Sequence, residues 1–401
     1  MDQPSTFDPA SLELSLDEMR TMTHAVFAHV LRHHAGLSSM PSCGDLEDIE
    51  SLCRSLREPV PEHGESVDSL LQLLFEDWIP RSFGTPGPGY LAYIPGGGVF
   101  PAALADFISA TTNRYTGIWQ AAPALVQLEA NALDWLRDAM QFPPEARGLF
   151  TPGGSMAMFN AIACAREKLL GTEIRTGTVF VSSQAHHSIA KAARLAGIAH
   201  DRVRTIDVDG NYRMRIDALQ HAIERDRGDG LKPFMVFSTA GTTNTGAVDP
   251  LDAIADVAAR EGLWHHVDGA YGGCFHLVPE LRHLLAGLPR ADSLTLDPHK
   301  GLFLPYGTGA LLVRNGEDLR ALHASHAGYL PDNQLEFYDP AQYGPDLSRG
   351  FPGLRVWMCL KVFGAARYRA AIAEKRELAV WAAQRIAAIP GIVMDALPQL
   401  S

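Results

Sequence analysis

The sequence lacks the features that mark secreted, metal-binding and nucleic-acid-binding proteins. Its five cysteines are odd in number and have no C-x-x-C spacing, which argues against a disulfide framework or a metal site and favours a reducing compartment (Cys43, Cys53, Cys164, Cys274 and Cys359). The net charge is −12, from 34 basic and 46 acidic residues, and no Lys/Arg-rich run occurs. We therefore expect no nucleic-acid partner and no anionic membrane partner.

Long apolar segments are also absent. The first twenty residues contain several acids and no apolar core, so we expect no signal peptide. The most apolar stretch, residues 96–110, is interrupted by Pro101 and Asp106, and it is shorter than the roughly 18 residues that a membrane helix needs. The sequence therefore predicts a cytoplasmic protein.

The composition that is present, 46% hydrophobic and 20% charged, is typical of a globular protein with a large core. Apolar residues at helical spacing predict an N-terminal helical segment over residues 1–85. We predict a large domain over 86–375 and the start of a small C-terminal domain over 376–401. A long helix from near Leu354 past Trp381 leads into it, and Ile392–Met394 is a candidate strand.

From about Gly148 onward, short apolar strands alternate with helices. The runs TVFVSS, PFMVFSTA and LWHHVD predict strands, and residues 251–261 predict a helix that ends at Gly262. Strands joined by helices favour an α/β fold with a mainly parallel central sheet and helices on both faces. Ligands of such folds gather at the carboxyl ends of the strands.

Two features at these strand ends suit an anion and a cation. In TPGGS, residues 151–155, the glycines let the backbone at the start of a helix approach a phosphate closely. A glycine-rich turn of this kind is more often only a tight turn that binds no ligand. Asp268, in HVDGAYGG, ends a buried strand, where a carboxylate needs a partner such as a protonated pyridine nitrogen. The alternative for Asp268 is that it caps the following helix.

Two further features suit covalent binding and stacking. Lys300, in LTLDPHKG, follows an apolar strand, and a desolvated neutral amine there attacks carbonyl carbons, although a lone lysine is more often a surface residue. His186 offers a flat ring for stacking, and spacing does not separate it from its competitor His187. His299 is within reach of a phosphate. Together the four features predict a pyridoxal-phosphate (PLP) site in which Lys300 forms a Schiff base.

The runs that carry these residues resemble the group II PLP-dependent amino-acid decarboxylases. They are TPGGSMA, QAHHSIAKAARLAG, STAGTTNTGAVDPL, HVDGAYGG and ADSLTLDPHKGL, and the resemblance covers about residues 88–363. It implies the type I (aspartate-aminotransferase-like) fold, an amino-acid substrate and a homodimer with its active site at the subunit interface.

The resemblance also implies roles for individual residues. Lys300 is the Schiff-base lysine, Asp268 pairs with the pyridine nitrogen, Ala270 packs beneath the ring, and His186 stacks on the opposite face and helps to bind substrate. The implied catalytic residues are Lys300, His186 and Asp268. The residues implied to contact or assist the phosphate are Gly154, Ser155, Thr243, Asp297 and His299.

The sequence departs from the family pattern at three places. Asp297 stands where many relatives have Asn. The family tyrosine that protonates the carbanion has two candidates here, Tyr338 and Tyr343, and neither aligns securely. The expected small C-terminal domain is truncated after its leading helix.

The function predicted from these residues is decarboxylation of an L-amino acid to an amine and CO2. The alternatives are an aminotransferase, an aldehyde-forming relative, and a catalytically defective or purely binding fragment. The substrate stays open. Gly96 stands where aromatic-amino-acid enzymes often have Thr, so the site has more room or a different side-chain preference there.

Overall fold

The computed structural model of the protein describes residues 12–324 and 337–401. It divides into two units, Met1–Tyr93 and Ile94–Ser401. The described part of the first unit contains the helices α1 (Leu16–Gly36), α2 (Ile49–Ser55) and α3 (Val67–Gln72). Ser15 and Glu18 form a capping box at the start of α1, which satisfies backbone N–H groups that a helix start leaves without partners. The domain boundaries at 85/86 and 375/376 remain predictions.

The second unit is built on one sheet of seven strands. The strands are β1 (Arg147–Thr151), β2 (Gly177–Ser182), β3 (Val203–Ile206), β4 (Lys232–Thr239), β5 (Trp264–Gly269), β6 (Ser293–Leu296) and β7 (Gly309–Val313). Their order across the sheet is β1-β7-β6-β5-β4-β2-β3. All neighbours are parallel except β7, which runs antiparallel to both β1 and β6. The carboxyl ends of the other six strands therefore lie along one edge.

Helices cover both faces of this sheet. They are α4 (Phe100–Thr112), α5 (Pro123–Ala139), α6 (Gly154–Leu169), α7 (Ser188–Leu195), α8 (Ile216–Gly228), α9 (Leu251–Glu261), α10 (Pro298–Gly301), α11 (Gly316–His323), α12 (Pro340–Tyr343) and α13 (Pro352–Ala387). Alternate strand residues enter different cores, because successive side chains point to opposite faces. Leu311 packs with α6 and α7, whereas Leu312 packs with α5 and α13. This arrangement is the predicted type I fold, with a mainly parallel sheet.

Near the C-terminus, the long helix predicted from near Leu354 past Trp381 is present but interrupted, and the prediction of a strand at Ile392–Met394 was wrong. The long helix α13 is interrupted at Gly364, whose φ of 76° and ψ of 152° are non-helical and suit a residue without a Cβ atom. Ile392–Met394 form no strand, since no strand of the described residues pairs with them. Within residues 12–324 and 337–401, no helix is long and apolar enough to cross a membrane.

Candidate active site

The nine residues that the sequence predicted for the cofactor surround one cavity of about 300 Å³. They are Gly154, Ser155, His186, Thr243, Asp268, Ala270, Asp297, His299 and Lys300. The segments that carry them follow β1, β2, β4, β5 and β6, so they meet at the carboxyl edge of the sheet because those strands run in one direction. Their individual roles remain predictions.

The glycine turn after β1 brings the start of α6 close to the segment after β6. A Cβ atom on Gly153 would lie 3.4 Å from the His299 ring, and one on Gly154 would lie 3.2 Å from Asp297 Oδ2. A side chain at position 154 would therefore press on the Asp297 carboxyl. The helix α6 is 16 residues long, and its N-terminus, the positive end of its dipole, lies at the cavity wall. This wall suits an anion.

Asp268 lies at the end of β5 with 5% of its surface exposed. Its Oδ1 accepts a hydrogen bond from the backbone N–H of Ala270 at 3.1 Å. Burial raises the pKa of this carboxyl to about 6, although the positive charge of Lys300 opposes the shift. At neutral pH the group is thus an ionised acid in a poorly solvated place, which a cationic ring nitrogen would stabilise.

Lys300 lies on α10, directly after β6. Its Nζ is 3.3 Å from Asp297 Oδ2. Lys300 and Asp268 line the same cavity, so the structure places the predicted covalent anchor and the predicted ring partner together. Wide separation of these two side chains would have ruled out the predicted site.

The structure distinguishes the two adjacent histidines. His186 lines the cavity, whereas His187 is exposed and does not. Ser188 holds the His186 ring, because its backbone N–H donates to Nδ1 at 3.3 Å and its hydroxyl lies 2.7 Å from the same atom. Burial, followed by the charges of His187 and Lys300, lowers the pKa of His186, so the ring is neutral at pH 7.

A hydrogen bond to the backbone holds the ring of His299 in place. Its Nδ1 lies 2.8 Å from the carbonyl oxygen of Thr308, the residue before β7. A carbonyl oxygen only accepts hydrogen bonds, so Nδ1 carries a hydrogen and donates it. Its Nε2 then faces Asp297 Oδ2 at 3.6 Å.

Sequence reasoning missed several cavity residues. Thr239, at the end of β4, lines the cavity with 3% of its surface exposed, and its Oγ1 has no hydrogen-bond partner. Its position beside Asp268 in the parallel register of β4 and β5 could have revealed it. Tyr271 also lines the cavity, and the backbone N–H of Ser401 donates to its hydroxyl at 3.0 Å. No sequence signal pointed to that contact.

Gly96 is a glycine for a reason other than substrate size. A Cβ atom there would lie 2.0 Å from the backbone oxygen of His299, so no side chain fits. The chain at Gly96 passes directly against α10, which carries Lys300. The missing side chain therefore carries no information on the substrate.

Tyr338 and Tyr343 do not line this cavity. Their rings stack 5.2 Å apart, and the Tyr338 hydroxyl donates to the backbone oxygen of Gly148 at 3.1 Å. Both border a different cavity, of about 650 Å³, beside α5 and β1. Part of the segment in which we sought the family tyrosine, residues 333–336, lies outside the described residues.

Comparison with known proteins gives evidence on the function that is independent of the cavity geometry. A family model described as the pyridoxal-dependent decarboxylase conserved domain matches residues 50–391. An aromatic-L-amino-acid decarboxylase of Bacillus atrophaeus is 36% identical over 365 residues, which are 90% of this chain and 76% of that protein.

Solved structures of two plant proteins are similar over nearly the whole chain. The structure of Oryza sativa TDC with PLP and tryptamine superposes with a TM-score of 0.90 at 28% identity, covering 98% of this chain and 84% of that one. The 4-hydroxyphenylacetaldehyde synthase of Rhodiola rosea has a TM-score of 0.87 at 26% identity, covering 94% of this chain and 81% of that one.

Proposed function

The chain belongs to the pyridoxal-dependent decarboxylase family, with pyridoxal phosphate as its cofactor, and we propose that it converts an L-amino acid to the corresponding amine and CO2. Aromatic amino acids are the first substrates to test. The reason is that the Bacillus atrophaeus relative is named for them and the Oryza sativa structure contains tryptamine. The proposal depends on one observation, the placement of Lys300 and Asp268 around a single cavity at the α6 N-terminus.

The cavity fits the cofactor in its charges and in its polar atoms. It combines a lysine amine for an aldehyde, a buried acid for a pyridine nitrogen, and a helix N-terminus for a phosphate. Two buried wall atoms, Thr239 Oγ1 and Asp297 Oδ1, have no hydrogen-bond partner. Buried polar atoms without hydrogen-bond partners are rare in proteins, and a polar ligand would give both of these atoms a partner.

Each wall of the cavity has a distinct task in this proposal. Gly154, Ser155 and Thr243 bind the phosphate with help from Asp297 and His299. Ala270 and His186 contact the two faces of the ring, and the neutral His186 also contacts the substrate. These tasks follow from the family resemblance together with the position of each side chain on the cavity wall.

When bound, pyridoxal phosphate supplies an electron sink for the electron pair left on the α-carbon as CO2 departs. Asp268 keeps the ring nitrogen protonated, because its own burial makes an unpaired carboxylate unfavourable. Lys300 would hold the cofactor covalently through its amine. The apolar core beneath the strand ends keeps Asp268 away from water.

The first experiment compares wild type with Lys300→Ala. We expect purified wild type to show the visible absorbance band of a lysine-bound cofactor and Lys300→Ala to lack it. The matched control is Lys191→Ala, which alters an exposed lysine of α7 and should keep the band. A band that persists in Lys300→Ala would contradict the assignment of the covalent anchor.

Product analysis then tests the reaction. The proposal requires equal amounts of CO2 and amine from at least one L-amino acid, with the aromatic ones tested first. Release of aldehyde and ammonia would instead favour an aldehyde-forming reaction, the type named for the Rhodiola rosea protein. Consumption of a 2-oxo acid without CO2 would indicate transamination.

We also propose a cytoplasmic homodimer. The family resemblance implies the dimer, and five free cysteines, three of them buried, suit a reducing compartment. Sedimentation of the purified protein should give twice the mass of one chain, and a monomeric mass for the fully active protein would contradict the dimer.

A further inference from the structure

A short segment before β7 holds both the backbone and the ring of His299. The backbone N–H of His299 donates to the carbonyl oxygen of Thr308 at 3.1 Å, and the ring Nδ1 donates to the same oxygen at 2.8 Å. The Tyr306 ring packs against the His299 ring, with the two centroids 5.7 Å apart. Gly307 lies between them with a φ of 88°, which suits a residue without a Cβ atom. The position of residues 306–308 therefore decides where the His299 ring lies.

This segment is in turn held by Arg355 of α13. Arg355 Nη1 donates to Thr308 Oγ1 at 2.7 Å and to the carbonyl oxygen of Tyr306 at 3.2 Å. Its Nε forms an ion pair with Asp106 of α4. Thr308 is fully buried, so its hydroxyl needs a partner within the protein. The planar guanidinium thus connects two helices to the segment that holds His299.

Arg355 does not line the cofactor cavity, whereas His299 does. On the side of the ring that points away from Thr308, Nε2 faces Asp297 Oδ2 at 3.6 Å, on the wall where the proposed function places the phosphate. The direction of Nε2 follows from the Nδ1 hydrogen bond, because both nitrogens belong to one rigid ring. A displaced Thr308 carbonyl would therefore turn Nε2 away from the phosphate.

We propose that Arg355 is a positioning residue, which holds residues 306–308 so that His299 presents Nε2 to the phosphate of the cofactor. The inference rests on the proposed function and deepens it, because it names a residue outside the cavity that sets the affinity for the phosphate. A carbonyl oxygen only accepts hydrogen bonds, so Nδ1 donates to Thr308 in the neutral and in the protonated ring alike. Arg355 therefore acts in the same way in both charge states.

The first variant is Arg355→Met, which keeps a long side chain and removes the donors. We expect pyridoxal 5′-phosphate to bind about 3- to 10-fold more weakly than to wild type, the usual effect of one lost hydrogen bond. Pyridoxal, which lacks the phosphate, should bind equally well to both proteins. Absorbance titration of the cofactor-free proteins measures both affinities. Equal weakening for pyridoxal would assign the effect to the ring and would overturn the inference.

A double-mutant cycle tests whether the effect passes through His299. His299→Asn removes Nε2 and retains an amide that can donate to Thr308. In this background, Arg355→Met should weaken the binding of pyridoxal 5′-phosphate by less than about twofold, because no Nε2 remains to be displaced. Two effects that multiply would show that Arg355 acts independently of His299, and wild-type affinity in His299→Asn alone would show that Nε2 contributes nothing. Either result would overturn the inference.

Arg355→Lys separates the geometry of the guanidinium from its charge. The single nitrogen of a lysine cannot occupy the positions of both Nε and Nη1, although it can still form an ion pair with Asp106. We expect this variant to unfold at nearly the same denaturant concentration as wild type and still to bind pyridoxal 5′-phosphate more weakly. Wild-type affinity in Arg355→Lys would mean that positive charge is sufficient, which would contradict a positioning role.

The matched control is Arg204→Met. The side chain of Arg204 is 25% exposed, against 21% for Arg355, and it also pairs with an aspartate through Nε, 2.9 Å from Asp226 Oδ2. Its Nη1 likewise donates to a backbone oxygen, that of Asp201. Arg204 lies on β3 and does not line the cavity.

We expect Arg204→Met to lower the free energy of unfolding and to leave both affinities unchanged. Binding of pyridoxal 5′-phosphate weakened as much as in Arg355→Met would attribute the loss to general stability and would overturn the inference, while the proposed function would stand. Failure of wild type to bind pyridoxal 5′-phosphate would instead contradict the proposed function.

Discussion

Asp268 and Asp297 are both buried at the ends of neighbouring strands, yet the two carboxyls have different partners. Asp268 accepts a hydrogen bond from a backbone N–H, which a carboxylate uses better than a neutral acid. Asp297 has one oxygen without a donor and another that faces a ring nitrogen and a lysine. The same residue type in one cavity thus has a lysine and a histidine beside it at position 297 and, in the proposed function, a ring nitrogen at position 268.

The difference teaches that burial alone does not assign a charge. Burial raises the pKa of both carboxyls. What separates them is their neighbours, because in the proposed function Asp268 gains a ring nitrogen as its partner, whereas Asp297 already lies beside Lys300 and His299.

The largest expected effect is that of Asp268→Asn on the reaction rate. Removal of one partner from a buried ion pair costs about 3–5 kcal/mol, which corresponds to a roughly 10²- to 10⁴-fold lower kcat if the ring nitrogen loses its proton. The measurement is amine formation by cofactor-saturated protein. Asp292→Asn is the control, because Asp292 precedes β6 at the other edge of the sheet and its Oδ2 accepts from the His265 backbone. A loss smaller than tenfold for Asp268→Asn would contradict the assigned role.

The same substitution should stabilise the protein before the cofactor binds. Folding raises the pKa of Asp268 from 3.8 to about 6, so ionisation of this carboxyl opposes folding. This loss of folding free energy is absent below about pH 4 and complete above about pH 6. Two pKa units correspond to about 3 kcal/mol. We therefore expect Asp268→Asn to raise the free energy of unfolding of the cofactor-free protein by about this amount at pH 7.5. Denaturant titration at pH 7.5 and pH 4 checks this, and an equal gain at both values would refute it.

Local sequence patterns predicted much of this fold. The helix predicted over residues 251–261 is α9, and Gly262 ends it with a φ of 64°, because helix periodicity and a left-handed cap are local properties. The meeting of the nine predicted residues at one cavity was also predictable, since parallel strands bring their carboxyl ends together whatever their order. The antiparallel β7 between β1 and β6 was not predictable from local pattern, because strand order depends on contacts distant in sequence.

The remaining misses concern burial and close approach. Spacing alone did not separate His186 from His187, although the family resemblance favoured His186, which is the one that lines the cavity. Gly96 suggested space for a substrate, whereas the backbone of His299 occupies that space. The break at Gly364 was missed because glycine is tolerated in helices and its conformation follows from packing. Each of these features depends on distances in the folded protein, which cannot be read from the spacing of residues along the chain.

The smallest expected effect belongs to Thr239, which is paired with Asp268 in the register of β4 and β5. Thr239→Val keeps the shape of the side chain and removes a buried hydroxyl that has no partner. If that hydroxyl bonds to the cofactor, its loss costs about 0.5–1.5 kcal/mol, or roughly 2- to 10-fold in pyridoxal phosphate affinity. The measurement is cofactor titration of the cofactor-free protein.

Thr178→Val separates this effect from a general change in stability. Thr178 is a fully buried threonine of β2, its Oγ1 also has no partner, and it does not line the cavity. Both variants should unfold at the same denaturant concentration as wild type or a higher one, since each removes an unsatisfied hydroxyl. Only Thr239→Val should bind the cofactor more weakly. Equal affinities for the two variants would mean that the Thr239 hydroxyl does not bond to the cofactor, so that this side of the cavity recognises the ring through the charge of Asp268 alone.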